Sequence, residues 1–184
     1  MQTAISTLLS VFPEVEIWQV GGGDLLLVAS LAPIEHDFDR LRAKVEREPF
    51  RRALLDTWRV DGLEGFYTGY IGGSKLARHL VEISDRRVST DDRPLIEFHF
   101  VRNLGRLGSF DLSELQSMSR ALGAHRPAET TKALEPQAAS RLGVDWQKVA
   151  SLRHLRAATG TFSLDSSPEP DVAAEEAARR LARE

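Results

Sequence analysis

The polar residues with the most chemical potential fall in one short stretch, Thr90-Asp91-Asp92-Arg93-Pro94, with Glu97 shortly after it. Adjacent carboxylates in a loop can hold a protonated amine or a metal-bound water. They can equally cap a turn, with Arg93 neutralising one of them. Asp ahead of a Pro in a turn needs no functional cause. Asp91, Asp92 and Glu97 are therefore candidate ligands for a cation, with turn formation as the alternative. The histidines, His36, His79, His99, His125 and His154, include no pair at the i, i+4 spacing of a zinc helix, and no cysteine accompanies them. No metal site is expected. His99 stands between Phe98 and Phe100 with no nucleophile close in sequence, so a catalytic role is not expected there.

Gly21-Gly22-Gly23 invites comparison with a nucleotide-binding loop. Such a loop must follow a strand and open a helix, so that the helix N–H groups face the phosphates. Here an apolar run, Leu25-Leu26-Leu27-Val28, follows instead, and position 26 is leucine where the pattern needs its next glycine. The glycines read as a hairpin loop. The Arg pairs, Arg51-Arg52, Arg86-Arg87 and Arg179-Arg180, are short, flanked by acids, and read as solvated faces.

The elements that must position these residues follow from periodicity. Ile5, Leu8, Leu9 and Phe12 make one helical face over 3–12, which Pro13 ends. Two strands follow, Val15 to Val20 and Leu25 to Val28. The second is apolar without alternation, which predicts a strand covered on both faces. Helices are expected over 37–47, with Phe38, Leu41 and Val45 inward, and from Pro49 through Phe50, Leu54 and Trp58. A broken helix is expected over 63–83, with Gly72-Gly73 at the break. Alternation in Leu95-Ile96-Glu97-Phe98-His99-Phe100 predicts a strand. Asp111 and Glu114 have capping-box spacing ahead of the stripe Leu112, Leu115, Met118 and Leu122, and Gly123 stops that helix. Residues 124–135 read as a polar loop. Asp145 caps a helix carrying Trp146, Val149, Leu152 and Leu155, stopped by Gly160. A linker over 163–170 and an Ala/Glu/Arg-rich helix over 171–184 complete the chain.

Composition sets outer bounds. At 184 residues, 42% of them hydrophobic and 28% charged, the chain is long enough to bury a core. A net charge of −3 and no basic stripe argue against nucleic acid. Cysteine is absent, which excludes thiolate chemistry and suits a reducing compartment. The N-terminus has no signal-peptide pattern, and the longest apolar run, Leu25 to Ile34, is too short for a membrane helix. A cytoplasmic location is expected.

The order Phe12-Pro13-x-Val15, Trp18, Gly21-Gly22-Gly23-Asp24, Leu25-Leu26-Leu27-Val28-Ala29-Ser30 and then Thr90-Asp91-Asp92-Arg93-Pro94-Leu95-Ile96-Glu97-Phe98 resembles the C-terminal part of spermidine-synthase-like proteins, especially bacterial forms fused to a membrane transporter-like domain. The resemblance covers residues 1–102; residues 103–184 would be a helical extension. It implies an α/β fold, the C-terminal portion of a class I methyltransferase-like (Rossmann-like) domain that ends in a β-hairpin. Such enzymes transfer an aminopropyl group from decarboxylated S-adenosylmethionine to a diamine. The family's nucleotide site and acidic amine-binding segment lie upstream of the hairpin, so no catalytic residue carries over and no cofactor is expected for this chain. Asp91, Asp92 and Glu97 are the clustered carboxylates in the matched region. The resemblance implies a lobe that is inactive alone. Its partners would be the missing N-terminal half of the enzyme or a second copy of itself, with membrane association only through a fused domain. The alternative is a non-enzymatic hairpin-and-helix interaction module.

Overall fold

The computed structural model describes residues 1–20, 24–96, 112–127 and 143–158. The fold is mixed α/β, with a small three-stranded antiparallel sheet and helices around it. The chain forms two compact units, each assembled from separate stretches. The first comprises residues 1–18, 25–34 and 71–127; the second comprises 19–24, 35–70 and 128–184. The expected boundary near residue 102 lies outside the described residues. Among the described residues, no helix is long and apolar enough to cross a membrane.

In the first unit, α1 (Gln2–Leu9) leads into β1 (Glu14–Gln19) and β2 (Leu25–Ser30). Ile5 is fully buried, as the helical spacing predicts. The triple glycine lies outside the described residues, but its flanks meet: the Val20 N–H donates to the Asp24 carbonyl at 2.9 Å. The third strand, β3 (Tyr70–Gly72), pairs on the other side of β1, in the order β2-β1-β3.

This order corrects the expectation for β2. The strand covered on both faces is β1, whose Val15 and Ile17 are buried on one face and Glu16 and Trp18 on the other. The Trp18 indole N–H donates to the Glu16 carboxylate at 3.0 Å, which satisfies both polar groups out of water. β2 lies at an edge. Its Leu25, Leu27 and Ala29 pack on the core, while Leu26 and Val28 are 50% and 36% exposed. Position within the sheet, not apolar content, decides how many faces are covered.

The broken helix expected over 63–83 is also corrected. Tyr70 and Ile71 lie in β3, between α4 (Gly62–Tyr67) and α5 (Ser74–Glu82). Gly72 ends the strand where the chain passes close to its neighbours. A Cβ there would lie 2.7 Å from Leu76 Cδ2 and 2.8 Å from Ser119 Oγ. Polar contacts then tie the helices to the sheet. The Ser74 hydroxyl accepts from the Val15 N–H at 3.0 Å and donates to the Glu14 carboxylate, and Arg78 pairs with Glu14 at 3.6 Å. In α6 (Leu112–Ala121), the Ser119 hydroxyl donates to the Ile71 carbonyl at 2.6 Å. Leu115 is buried in the cluster of Ile5, Val15, Ile17, Ile71, Leu76 and Leu80, and Gly123 at φ +65° ends the helix as expected. The Asp111 half of the capping box lies outside the described residues.

The described residues of the second unit are mainly helical. In α2 (Phe38–Val45), the Asp37 side chain caps by accepting from the Arg40 N–H at 2.9 Å. The helix expected from Pro49 is short: α3 (Phe50–Ala53) passes into a π-helical turn, Leu54–Trp58, that ends at Arg59 with φ 55°. α4 packs against α2 and against α7 (Trp146–Ala158). Asp145 caps α7 as its sequence predicts, accepting from the N–H groups of Gln147 at 2.9 Å and Lys148 at 3.0 Å. The stop at Gly160, the linker and the last helix lie outside the described residues.

Candidate functional site

The Thr90–Pro94 stretch is a turn, as expected. Thr90 and Arg93 exchange backbone hydrogen bonds, of 3.1 and 2.9 Å, which close the chain around Asp91 and Asp92. Both Asp side chains are exposed. Among the described residues neither pairs with Arg93 or caps the turn, so the backbone carries the geometry. Two carboxylates on adjacent residues can attract a protonated amine, but none of the described residues encloses them, and an amine bound there would keep much of its water. Glu97, the third candidate, lies outside the described residues, as does His99. The strand expected from Leu95 does not begin there, because Leu95 and Ile96 are helical.

A first expected result follows from this exposure. Asp91→Asn and Asp92→Asn should leave the melting temperature of this chain unchanged, since neither carboxylate supports a contact among the described residues. A lowered melting temperature in a thermal melt by circular dichroism would return them to a turn-capping role.

Sequence reasoning passed over a second cluster, within the second unit. His36 Nδ1 and the Tyr67 hydroxyl form a hydrogen bond of 2.8 Å, and both residues are buried. Phe38, Phe66, Tyr70 and Trp146 meet the Tyr67 ring edge-on, with centroids 5.4 to 6.3 Å away. Such T-shaped pairs stabilise beyond their buried area. Arg153 reads the C-terminal end of α4, donating to the carbonyls of Tyr67 at 3.3 Å, Thr68 at 3.2 Å and Tyr70 at 2.7 Å. A guanidinium suits this end of a helix, where carbonyls lack partners and the dipole is negative.

Deeper still, Arg156 donates to the Thr68 hydroxyl and lies 5.2 Å from the Trp58 ring centroid. Burial, reinforced by the nearby Arg153 charge, lowers its pKa to about 10, so it remains a cation at neutral pH. A His–Tyr pair could pass a proton, but at 5% and 0% exposure these two are closed to a substrate. The cluster serves as a polar-threaded aromatic core. The signals for it were present in Phe66-Tyr67 and Tyr70, but their spacing also fits one helical face.

The remaining unusual surface is the β2 edge. Leu26 and Val28 stand two residues apart on its open face, and Leu31, 72% exposed, extends the apolar surface past the strand. No strand among the described residues pairs with the outer edge of β2. Comparison with family models, with curated proteins and with solved structures finds no match to this chain.

Proposed function

We propose that this chain is the C-terminal lobe of a spermidine-synthase-like aminopropyltransferase, inactive without the nucleotide-binding half. The observation that carries it is the open edge of β2. Leu25–Ser30 has apolar side chains on both faces and neither charge nor proline, the composition of an interior strand, yet it stands at the margin of a three-stranded sheet. A larger sheet of the methyltransferase-like kind would cover it. The ordered motifs from Phe12-Pro13 to Glu97-Phe98 support the same assignment. In such an enzyme Asp91 and Asp92 would contribute negative charge toward a polyamine, and chemistry on the sulfonium substrate would belong to the missing half.

The test is calorimetric titration of the isolated chain with decarboxylated S-adenosylmethionine and with a diamine. No heat of binding is expected from the nucleoside, because the glycines open a strand instead of a helix. One-site micromolar binding of the nucleoside would overturn the assignment. The DNA upstream should continue in frame with a strand, Gly turn and helix pattern. A second reading, a self-contained interaction module, is favoured by the closed core of the first unit around Ile5, Ile17 and Leu76. An in-frame stop immediately upstream would support that alternative.

A further inference from the structure

We propose that Asp61-Gly62, at the start of α4, is a site of spontaneous covalent modification. The peptide bond there migrates from the main-chain carbonyl of Asp61 to its side-chain carboxyl and leaves an isoaspartyl residue. The inference does not depend on aminopropyl transfer; the reaction needs one side chain, one amide and water.

The step balances without a cofactor. The Gly62 amide nitrogen loses its proton and bonds to Asp61 Cγ. A carboxyl oxygen leaves as water, which closes a succinimide ring. A water molecule then opens the ring at the main-chain carbonyl carbon and breaks its bond to the Gly62 nitrogen. The chain now runs through Cγ, longer by a methylene, and the former main-chain carbonyl is a pendant carboxylate. Water lost in the first step is regained in the second, so the mass is unchanged.

Sequence and geometry single out this pair. Every other aspartate in the chain precedes a residue with a side chain, and the single asparagine, Asn103, precedes Leu104. Gly62 takes φ +70°, and a Cβ there would meet none of the described residues within 4 Å, so the attacking nitrogen is unobstructed. Its N–H donates to Asp61 Oδ1 at 3.0 Å, so the carboxyl is already folded toward the amide that attacks it. The Asp61 side chain is 40% exposed, which admits the water that opens the ring. Asp61 is extended, with ψ 153°, so closure requires a turn about its Cα–C bond, and the glycine beyond that bond brings no side chain to resist it.

The product disturbs local contacts. The Asp61 carboxylate caps α4 and lies 3.4 Å from Arg51 Nε, and both contacts shift when the carboxylate changes carbon. α4 also carries Glu64 and Tyr67, so the modified chain is less stable.

The test incubates the full folded chain at neutral pH, below its melting temperature. Proteolysis in acid and mass spectrometry then locate isoaspartate, with an isoaspartyl methyltransferase and labelled S-adenosylmethionine as the probe. The label should accumulate in the Asp61 peptide ahead of every other aspartate peptide, and the modified chain should unfold at lower urea. Asp61→Ser keeps a capping oxygen but has no carbonyl to attack, so the label should be lost from that peptide. Asp61→Asn also keeps the cap and replaces an anion, which repels a nucleophile, with a neutral amide; isoaspartate should then form severalfold faster. The wild-type measurement stands even if a variant fails to fold. Four results would overturn the site: label absent from the Asp61 peptide or spread evenly over the aspartates; label retained in a folded Asp61→Ser chain; a folded Asp61→Asn chain no faster than wild type; or isoaspartate that forms only in urea, where the fold has no part.

Discussion

Tyr67→Ala is expected to unfold the second unit or bring it close to unfolding. The ring is fully buried and contacts aromatic residues from α2, α4, β3 and α7. Removing a buried aromatic ring and leaving its cavity costs on the order of 3–5 kcal/mol. The stability of most domains is about 5–15 kcal/mol, so the loss is a large share of the whole. Tyr67→Phe separates the ring from the hydroxyl. It keeps the ring packing and removes the hydroxyl that bonds His36, for roughly 1–2 kcal/mol. Urea unfolding followed by tryptophan fluorescence measures both, since Trp146 contacts the ring. Equal losses in the two variants would show that packing around the ring contributes little.

Glu64→Ala should cost on the order of 2–4 kcal/mol, because its carboxylate joins three parts of the second unit. It sits on α4, accepts from Arg42 of α2 at 3.2 Å, and accepts from the Asp145 N–H at the start of α7 at 3.4 Å. Arg42 also donates to the Gly143 carbonyl at 3.1 Å. The Glu64 side chain is 11% exposed, whereas that of Arg42 is 30% exposed. Water can therefore take over more readily at Arg42, and Arg42→Ala is expected to be the milder change. A double-mutant cycle gives the coupling between them. Losses that simply add would mean that the pair contributes no stability of its own.

These two positions also show where sequence reasoning stops. The helix starts at Asp37 and Asp145 and the stop at Gly123 are governed by hydrogen bonds or backbone angles within a few residues, so local residue types specify them. The turn at Thr90–Arg93 and the facing flanks of the triple glycine are local in the same sense. The segment from Phe66 to Ile71 is different. Its aromatic and aliphatic residues fit one face of a helix, and the backbone becomes a strand after Tyr67 because Tyr70–Gly72 pairs with β1. That choice depends on a strand some fifty residues away, and periodicity carries no record of it.

What the sequence by itself determined is the list of elements near the N-terminus, the helix starts at Asp37 and Asp145, the stop at Gly123, and the acidic turn at Asp91 and Asp92. Only the tertiary structure decided that β1 is central and β2 marginal, that His36 meets Tyr67, and that Glu64 meets Arg42 and the start of α7. The reason is range. Caps and turns are settled by neighbours along the chain. The tertiary bonds span much more of it, with separations of 31 positions from His36 to Tyr67, 48 from Ile71 to Ser119 and 83 from Tyr70 to Arg153. An apolar strand carries the same residues whether it lies inside a sheet or at its edge, and only its neighbours in space determine which side chains remain exposed.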